Sequence, residues 1–274
     1  MQHDGAIELK LLFSEATPDY GHYVFPYAVW AFPEPAEKAH QFFERGFLPS
    51  SKNFDRYYLC RSVRVNLRQF QPSSENRRIL RKGEGITYKL LARDQFAFTQ
   101  TWKNFCLRYA DDKFGKGVMS DERLANLFDS PITSHLLVFQ DGENGADVGL
   151  VTLFLEEPFV AQYYYAFYDL NYHRRNLGMF MMTSAVSHFA GESWHYMYLG
   201  SCYSPNAFYK TQFAGAEFFN GARWSQNLDE LKHLIARHQT PQTTHLFESS
   251  AYLHEFYDGE LGKLVEASLF RLPL

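Results

Sequence analysis

The order of strand and helix patterns from residue 135 onward constrains the fold more than any other feature of this chain. Seven segments follow one another there as β-β-β-α-β-α-β: HLLVFQ, DVGLVTLFLEE, AQYYYAFYD, NLGMFMMTSAVSHFA, WHYMYLG, SPNAFYKTQFAG and AEFFNGARW. The turn DGENGA between the first two segments predicts a hairpin. Single helices separate the later strands, which predicts an α/β fold with a mixed sheet and crossover helices.

The residues before 135 show a less regular pattern. Val63, Val65 and Leu67 alternate with polar residues, as in a half-buried strand. The stretch 73–85 is predicted to be a polar turn with a basic cluster, and 89–112 a long amphipathic helix.

The next helix has a clear start, because Ser120 precedes two acidic residues in DERLANLF and a hydroxyl there suits a helix cap. From these patterns we divide the chain into three segments. A smaller N-terminal α+β module covers 1–84, a larger α/β domain covers 85–240, and a C-terminal extension without a clear period covers 241–274.

Composition argues against several classes of protein. The 274 residues carry a formal net charge of -4, which disfavours a protein that coats nucleic acid but allows a local basic groove. No apolar run reaches the ~18 residues of a membrane span, and the first residues lack a signal-peptide pattern. The three cysteines, Cys60, Cys106 and Cys202, are far apart in the chain, which indicates a reducing compartment. We therefore expect a cytoplasmic protein.

A basic turn joins the strand AQYYYAFYD to the helix after it. Arg174 and Arg175 precede Gly178 at the predicted helix start. Free N–H groups and the helix dipole attract anions at such a position, and a glycine lets a ligand approach the backbone. The pattern predicts a cradle for a pyrophosphate or a nucleic-acid phosphate. The alternative is a solvated basic turn in which Gly178 serves packing alone.

Several short motifs occur in a fixed order over roughly residues 20–225: CRSVRV at 60–65, FQPSSENRR at 70–78, FYDL at 167–170, NLG at 176–178, YLG at 198–200, YKTQFAGAE at 209–217 and NGARW at 220–224. In this order they resemble the arginyl-/leucyl-tRNA–protein transferase family, whose members add an amino acid to protein N-termini as a degradation signal. The resemblance implies a GNAT-like fold, in which two central strands splay apart and hold the acyl end of the donor. It also implies transfer of Leu or Arg from charged tRNA to a protein that begins with Asp or Glu, with no cofactor besides aminoacyl-tRNA.

The motifs supply three groups of candidate site residues. They are catalytic Asp169, Tyr168 and Tyr209; donor- or tRNA-binding Arg174, Arg175, Leu177, Gly178 and Lys210; and acceptor-binding Arg64, Arg77, Arg78 and Tyr198. A carboxylate could bind or deprotonate the acceptor amine, and arginines could pair with an acidic acceptor residue or a phosphate. Structural roles, as a turn former, core aromatics or a solvated basic edge, stay open for each group.

The chain also departs from the family pattern. Ser74, Asn206, Gln212 and Ala214 stand where the family has basic residues, and the N-terminal cysteine cluster of eukaryotic members is absent. These losses motivate a non-catalytic paralogue that binds protein N-termini. An acyl-CoA-dependent N-acyltransferase is a further hypothesis, although the bulk of Phe180 opposes close approach of a pyrophosphate.

The histidines do not form a metal-binding pattern. His233 and His238 are five residues apart on one predicted helix, which directs them to different faces. The other histidines are scattered, so we expect no metal site.

Overall fold

A computed structural model describes residues 9–15, 19, 21, 26–237 and 245–270. The strands in these residues are β1 (Lys10–Glu15), β2 (Tyr27–Phe32), β3 (Phe47–Pro49), β4 (Tyr57–Leu59), β5 (Ser62–Asn66), β6 (Ile86–Ala92), β7 (His135–Asp141), β8 (Asp147–Glu156), β9 (Val160–Tyr168), β10 (Tyr196–Ser201), β11 (Ala216–Phe219) and β12 (Trp224–Ser225). The α-helices are α1 (Ala39–Phe43), α2 (Ser74–Lys82), α3 (Gln100–Phe114), α4 (Asp121–Phe128), α5 (Leu177–Gly191), α6 (Leu228–Arg237), α7 (Ser250–Tyr257) and α8 (Leu261–Ala267). Among these helices, none combines the length and apolar character needed to cross a membrane.

The chain forms two compact units. Unit 1 comprises Met1–Val63, Ser201–Thr211 and Glu217–Leu274, and unit 2 comprises Arg64–Gly200 and Gln212–Ala216. The division into three segments proposed from the sequence stays a prediction.

Unit 1 contains a small antiparallel sheet with strand order β1-β2-β4-β3. Its core is aromatic, because the Tyr57 ring stacks on Phe42 of α1 with centroids 4.3 Å apart and meets Phe43 edge-on. Stacked and edge-on rings fill a core well while satisfying the ring quadrupoles. The short strands β3 and β4 are therefore stabilised mainly by the packing of aromatic rings rather than by long ladders of hydrogen bonds.

A buried carboxylate joins α7 to the other C-terminal elements of unit 1. Glu230 of α6 is 1% exposed. Its Oε1 accepts hydrogen bonds from the Tyr252 hydroxyl at 2.6 Å, the Tyr257 hydroxyl at 3.1 Å and Asn220 Nδ2 at 2.9 Å, and its Oε2 accepts one from the Ser225 hydroxyl at 2.7 Å. Burial and this carboxylate raise the pKa of Tyr252. Four donors thus converge on one buried acceptor group, and the position of α7 depends on it.

Unit 2 is built on six strands in the order β5-β10-β9-β8-β7-β6. The pairs from β6 to β9 are antiparallel, whereas β9 and β10 are parallel and connected through α5. The mixed sheet with a crossover helix that the sequence predicts is therefore confirmed. The hairpin β7–β8 and the strand β9 are confirmed as well.

Helices cover both faces of this sheet. On one face, α3 and α4 bury an apolar cluster against the sheet, made by Phe96, Trp102, Cys106, Tyr109, Ala110, Met119, Leu124, Leu127, Phe128, Leu136, Val138, Leu150 and Phe167. On the other face, α5 packs so closely on β8 that a Cβ at Gly149 would lie 2.6 Å from Sδ of Met181. The crossover helix is thus fixed in position, and the turn that precedes it is fixed with it.

Some predictions for the chain are wrong in detail. The predicted polar turn 73–85 contains α2, which begins with a reciprocal cap: Ser73 Oγ accepts from Asn76 N at 3.1 Å, and Asn76 Oδ1 accepts from Ser73 N at 3.0 Å. The predicted helix 89–112 is divided between β6 and α3, because β6 pairs with β7 at seven positions. Ser120 caps α4 as predicted, with its Oγ 3.1 Å from Arg123 N. The segment after β10 forms a 3-10 helix, Pro205–Thr211, rather than an α-helix.

Replacing Glu230 with glutamine should destabilise the protein. One carboxylate oxygen becomes an NH₂ group, which cannot accept from the buried donors around it. We expect the free energy of unfolding to fall by about 1–3 kcal/mol, measured by urea denaturation. Glu255→Gln is the control, because Glu255 is exposed on α7. Equal stability of the two variants would contradict a stabilising role for the buried carboxylate.

Candidate functional site

The strands β9 and β10 pair over only a short part of their length. Their parallel register ends where Tyr198 lies opposite Gln162, whereas β9 continues to Tyr168 with β8 on its other edge. Tyr164 has no partner in the register with β8, which marks a β-bulge just after the pairing with β10 ends. Beyond Gln162 and Tyr198 the two strands are no longer paired, and we call this unpaired stretch the β9–β10 gap.

A buried arginine lies where the pairing ends. Arg64 of β5 is 6% exposed, its guanidinium carbon is 3.8 Å from the centroid of the Tyr196 ring, and its Nη1 donates to the Tyr198 hydroxyl at 3.4 Å. Tyr196 and Tyr198 are two residues apart in a strand, so they lie on the same face of the sheet. Stacking on the ring holds the guanidinium in place beside Tyr198.

Gln162 belongs to the same face of the sheet. It lies directly opposite Tyr198 in the ladder, and residues paired in this way point to one side. Its side chain is buried, and Oε1 has no hydrogen-bond partner among the described residues. The sequence analysis missed Gln162 and Tyr196. The available signal was that Gln162 is the single amide in the aromatic run AQYYYAFY.

The other predicted acceptor residues lie elsewhere in unit 2. Arg77 and Arg78 are exposed on α2. Arg78 forms an ion pair with Glu75 on the same helix, with Nε 2.6 Å from Oε2, and Arg77 donates to the Pro72 carbonyl. Of the four predicted acceptor residues, the structure brings together Arg64 and Tyr198. Roles of Arg77 and Arg78 in acceptor binding stay predictions.

Asp169 follows β9 and begins the 3-10 helix Leu170–Arg175. Its Oδ1 accepts hydrogen bonds from the backbone N–H and from Nδ2 of Asn171, both at 2.9 Å. This is the geometry of a residue that caps a turn. The predicted catalytic role of Asp169 is untested, and this cap is the alternative that the sequence left open.

The guanidinium of Arg175 is hydrogen-bonded to other groups of the protein. It donates to the backbone carbonyls of Lys82 and Glu84, and Nη1 lies 3.5 Å from Asp141 Oδ2. Asp141 also accepts from the Tyr172 hydroxyl at 2.7 Å, and this bond, with the Arg175 charge, holds the pKa of Asp141 below its usual value. Arg175 therefore anchors the turn, whereas Arg174 is exposed on it.

The start of α5 is filled by an aromatic ring. A Cβ at Gly178 would lie 2.7 Å from Cζ of Tyr168, whose ring also packs against Tyr109 with centroids 4.8 Å apart. Leu177 is 1% exposed and belongs to the core. Gly178 thus serves packing, as the alternative reading of the basic turn supposed. Whether a donor phosphate also binds at this turn is untested.

The predicted catalytic and acceptor residues of unit 2 are far apart along one strand. Seven residues separate Gln162 from Asp169, which corresponds to roughly 20 Å at the usual rise of a strand. Arg64 and Tyr198 lie beside Gln162, and Tyr168 lies beside Asp169. One acceptor amine therefore cannot contact both groups.

Tyr209 and Lys210 belong to the 3-10 helix of unit 1. Lys210 Nζ donates to the Ser201 carbonyl at 2.7 Å. Burial lowers the pKa of Lys210, while the neighbouring Cys202 and Cys60 oppose that shift. Burial also raises the pKa of the Cys60 thiol to about 12, so Cys60 is a protonated, unreactive thiol at neutral pH. Tyr209 is 45% exposed.

The described residues include no group of three or more His, Cys, Asp or Glu side chains that could hold a metal ion. His238 lies outside those residues. The expectation that the protein needs no metal stays a prediction.

Gly178→Ala should destabilise the start of α5. The added methyl group would overlap the Tyr168 ring, and overpacking of this kind costs about 1–3 kcal/mol in unfolding free energy. Gly191→Ala is the matched control: it lies at the end of the same helix, where a Cβ would meet nothing within 4 Å. Thermal denaturation of both variants is the measurement.

The double variant Gly178→Ala/Tyr168→Leu tests the cause, because a smaller side chain at 168 removes the clash. We expect a favourable coupling between the two substitutions. Strictly additive losses would show that the ring is not what requires glycine at 178.

The comparisons with known proteins gave sequence relatives of one kind. An aspartate/glutamate leucyltransferase of Ruegeria pomeroyi is 28% identical over 186 residues, which are 65% of this chain and 66% of that protein. One of Granulibacter bethesdensis is 27% identical over 198 residues, covering 70% and 71%, and one of Cereibacter sphaeroides is 25% identical over 178 residues, covering 60% and 61%. The chain thus spans just under two thirds of the length of the Ruegeria relative.

Other comparisons contribute less. No family model matches the chain. Among solved structures, the C-terminal domain of a putative lysylphosphatidylglycerol synthetase from Agrobacterium fabrum is similar at a TM-score of 0.42 and 14% identity, over 56% of this chain and 49% of that one. FemX is similar at a TM-score of 0.40 and 10% identity, over 60% and 57%. Likenesses this slight carry no argument.

These relatives share one name, aspartate/glutamate leucyltransferase. Matches at 25–28% identity over 60–70% of the chain are those of a distant relative. Over about two thirds of its length this chain is similar to the aspartate/glutamate leucyltransferases, at the identity of distant relatives.

Proposed function

We propose that the protein transfers leucine from charged tRNA to the N-terminus of proteins that begin with Asp or Glu. The observation that carries the proposal is the similarity to several aspartate/glutamate leucyltransferases. Arg64, buried beside the β9–β10 gap, supports the acidic acceptor, because a desolvated guanidinium binds a carboxylate strongly. Arginine is the alternative amino acid that the family resemblance allows.

The chemistry needs no nucleophile from the protein. The acceptor ammonium loses a proton, and its nitrogen attacks the carbonyl carbon of the aminoacyl ester. A C–N bond forms, the C–O bond to the terminal ribose breaks, and the ribose oxygen leaves as a hydroxyl after it takes a proton. The protein must align the two substrates, remove the proton and stabilise the oxyanion. Aminoacyl-tRNA is then the sole co-substrate, with no cofactor.

We propose that the acceptor residue binds at Arg64 and Tyr198. The donor end of the tRNA would approach from the turn that carries Arg174 and from the start of α5. Three residues would then shape this turn rather than contact phosphate. The Arg175 side chain is bonded to the backbone, Leu177 is buried, and the Tyr168 ring lies against Gly178. Lys210 and Tyr209 stay proposals for contacts to the tRNA end.

Catalytic roles for Asp169 and Tyr168 are a separate proposal, and they are incompatible with an acceptor amine bound at Arg64. An amine bound at Arg64 would be roughly 20 Å from Asp169, too far for proton transfer within hydrogen-bond reach. We favour acceptor binding at Arg64, because its guanidinium is buried and already oriented by two tyrosines.

In the cell, such an activity would mark proteins for degradation through the N-degron pathway, in the cytoplasm. The direct test is to incubate the protein with tRNA charged with leucine or arginine and a peptide beginning with Asp. Addition of one leucyl residue, seen by mass spectrometry, is the expected result. Product from acyl-CoA but from neither aminoacyl-tRNA would overturn the proposal. Binding of the peptide without any product would instead support the non-catalytic paralogue.

Arg64→Lys should weaken use of acidic acceptors. Lysine keeps the charge but loses the planar fork and the stacking on Tyr196. Loss of a charged hydrogen bond predicts about a ten- to hundred-fold fall in kcat/KM for an Asp-starting peptide. Arg68→Lys is the matched control, since Arg68 is exposed just after β5. Unchanged kcat/KM in Arg64→Lys would remove Arg64 from the acceptor site.

The variant Asp169→Asn distinguishes a role of Asp169 as a turn cap from a role as a general base. Asparagine Oδ1 still accepts from the Asn171 N–H, so the turn and the melting temperature should be kept. We expect kcat within about threefold of the wild type, whereas loss of a general base costs about 10²–10⁴-fold. A hundred-fold fall at unchanged melting temperature would make Asp169 catalytic and would move the acceptor amine from Arg64 to the turn.

A further inference from the structure

Gln162 is a buried amide whose side-chain oxygen has no hydrogen-bond partner in the part of the chain that the structure describes. The residue is 3% exposed. Folded proteins pair nearly all buried polar side-chain atoms, because an unpaired one forfeits its hydrogen bonds to water. A group left in this state points to a partner that arrives from outside the chain.

The neighbours of Gln162 indicate what that partner is. Gln162 lies at the end of the β9–β10 pairing, opposite Tyr198. Arg64 lies in the strand beyond Tyr198, on the same face of the sheet, and contacts that tyrosine. Neighbouring strands are about 4.8 Å apart, so the strands of Gln162 and Arg64, one on each side of Tyr198, are about 10 Å apart. One bound amino-acid residue with a hydrogen bond at each end can span that distance.

This arrangement fits the two ends of an acidic N-terminal residue. Its side-chain carboxylate requires a cation, which Arg64 supplies. Its α-ammonium requires hydrogen-bond acceptors and no nearby cation, and an amide oxygen meets that need. The carboxylate of an Asp or Glu side chain at position 162 would instead compete for Arg64, so a neutral acceptor suits a site next to an arginine.

We propose that Gln162 Oε1 accepts a hydrogen bond from the free α-ammonium of the acceptor, while Arg64 pairs with the acidic side chain of the same residue. The inference rests on the proposed acceptor class and adds to it the residue that recognises the unblocked N-terminus. Gln162 would thus make the site distinguish a free N-terminus from an acetylated one, which lacks the ammonium.

The test replaces Gln162 with methionine, which has a similar volume and no amide. Binding of a short peptide beginning with Asp, and of its N-acetylated form, is measured by calorimetry without tRNA. We expect the wild type to prefer the free peptide. Gln162→Met should bind the free peptide about ten-fold or more weakly and lose most of that preference. Its melting temperature should be equal or higher, because the substitution removes a buried oxygen without a hydrogen bond.

Gln140→Met is the matched control, since Gln140 Nε2 already donates to Asp147 at 2.8 Å. This variant should bind both peptides as the wild type does. The inference is overturned if Gln162→Met keeps the wild-type affinity and preference, if the wild type does not distinguish the two peptides, or if weaker binding comes with a clear loss of melting temperature. A wild type that prefers the free peptide through Gln162 but forms no leucyl product would support the inference while the transferase proposal fails.

Discussion

The early end of the pairing between β9 and β10 is the constraint on which the rest of the site depends. Two parallel strands that stay paired would bury their facing backbone groups in a ladder, leaving no room for a substrate. Here the ladder stops after three positions and a bulge follows in β9. The separation is tolerated because β9 remains paired with β8 at every position except Tyr164, and α5 is packed on the sheet beside them. The β9–β10 gap is thus a local feature in an otherwise rigid sheet.

The environment of Arg64 explains how a buried positive charge is tolerated beside the β9–β10 gap. Burial of a guanidinium is unfavourable unless its charge is met by aromatic faces and hydrogen-bond acceptors. Tyr196 and Tyr198 provide both, and they are also part of the strand whose pairing with β9 ends here. The cation is therefore oriented before any ligand binds, which reduces the entropy that binding must overcome. The aromatic residues of this chain thus hold a charged group in place as well as filling the core.

Much of the fold follows from local patterns in the sequence. The hairpin β7–β8, the strand β9, the helix α5 and the cap at Ser120 depend on neighbouring residues, and their prediction was correct. The strand β6 was mistaken for a helix because KLLA has good helix formers, and only its pairing with β7 makes it a strand. The helix α2 was mistaken for a turn because most of its residues are polar and few of them are buried. For the site, the motifs placed Arg64 and Tyr198 in one group of acceptor residues, and the structure brings these two together. Their role in acceptor binding stays a prediction, and the bulge, the gap and the unpaired oxygen of Gln162 depend on long-range pairing. No local pattern reports them, nor the distance between Asp169 and Arg64.

The composition of unit 1 has a consequence for synthesis of the chain. This unit joins the first 63 residues to segments that begin at residue 201, and its buried Glu230 finds two of its donors in α7. A ribosome makes about 5–20 residues each second, so the N-terminal strands emerge well before the residues that complete their unit. Unit 2, apart from five residues, is a continuous segment that is made in between. Folding during translation would therefore complete unit 2 first. A chain released before α7 would contain a folded unit 2 and an incomplete unit 1.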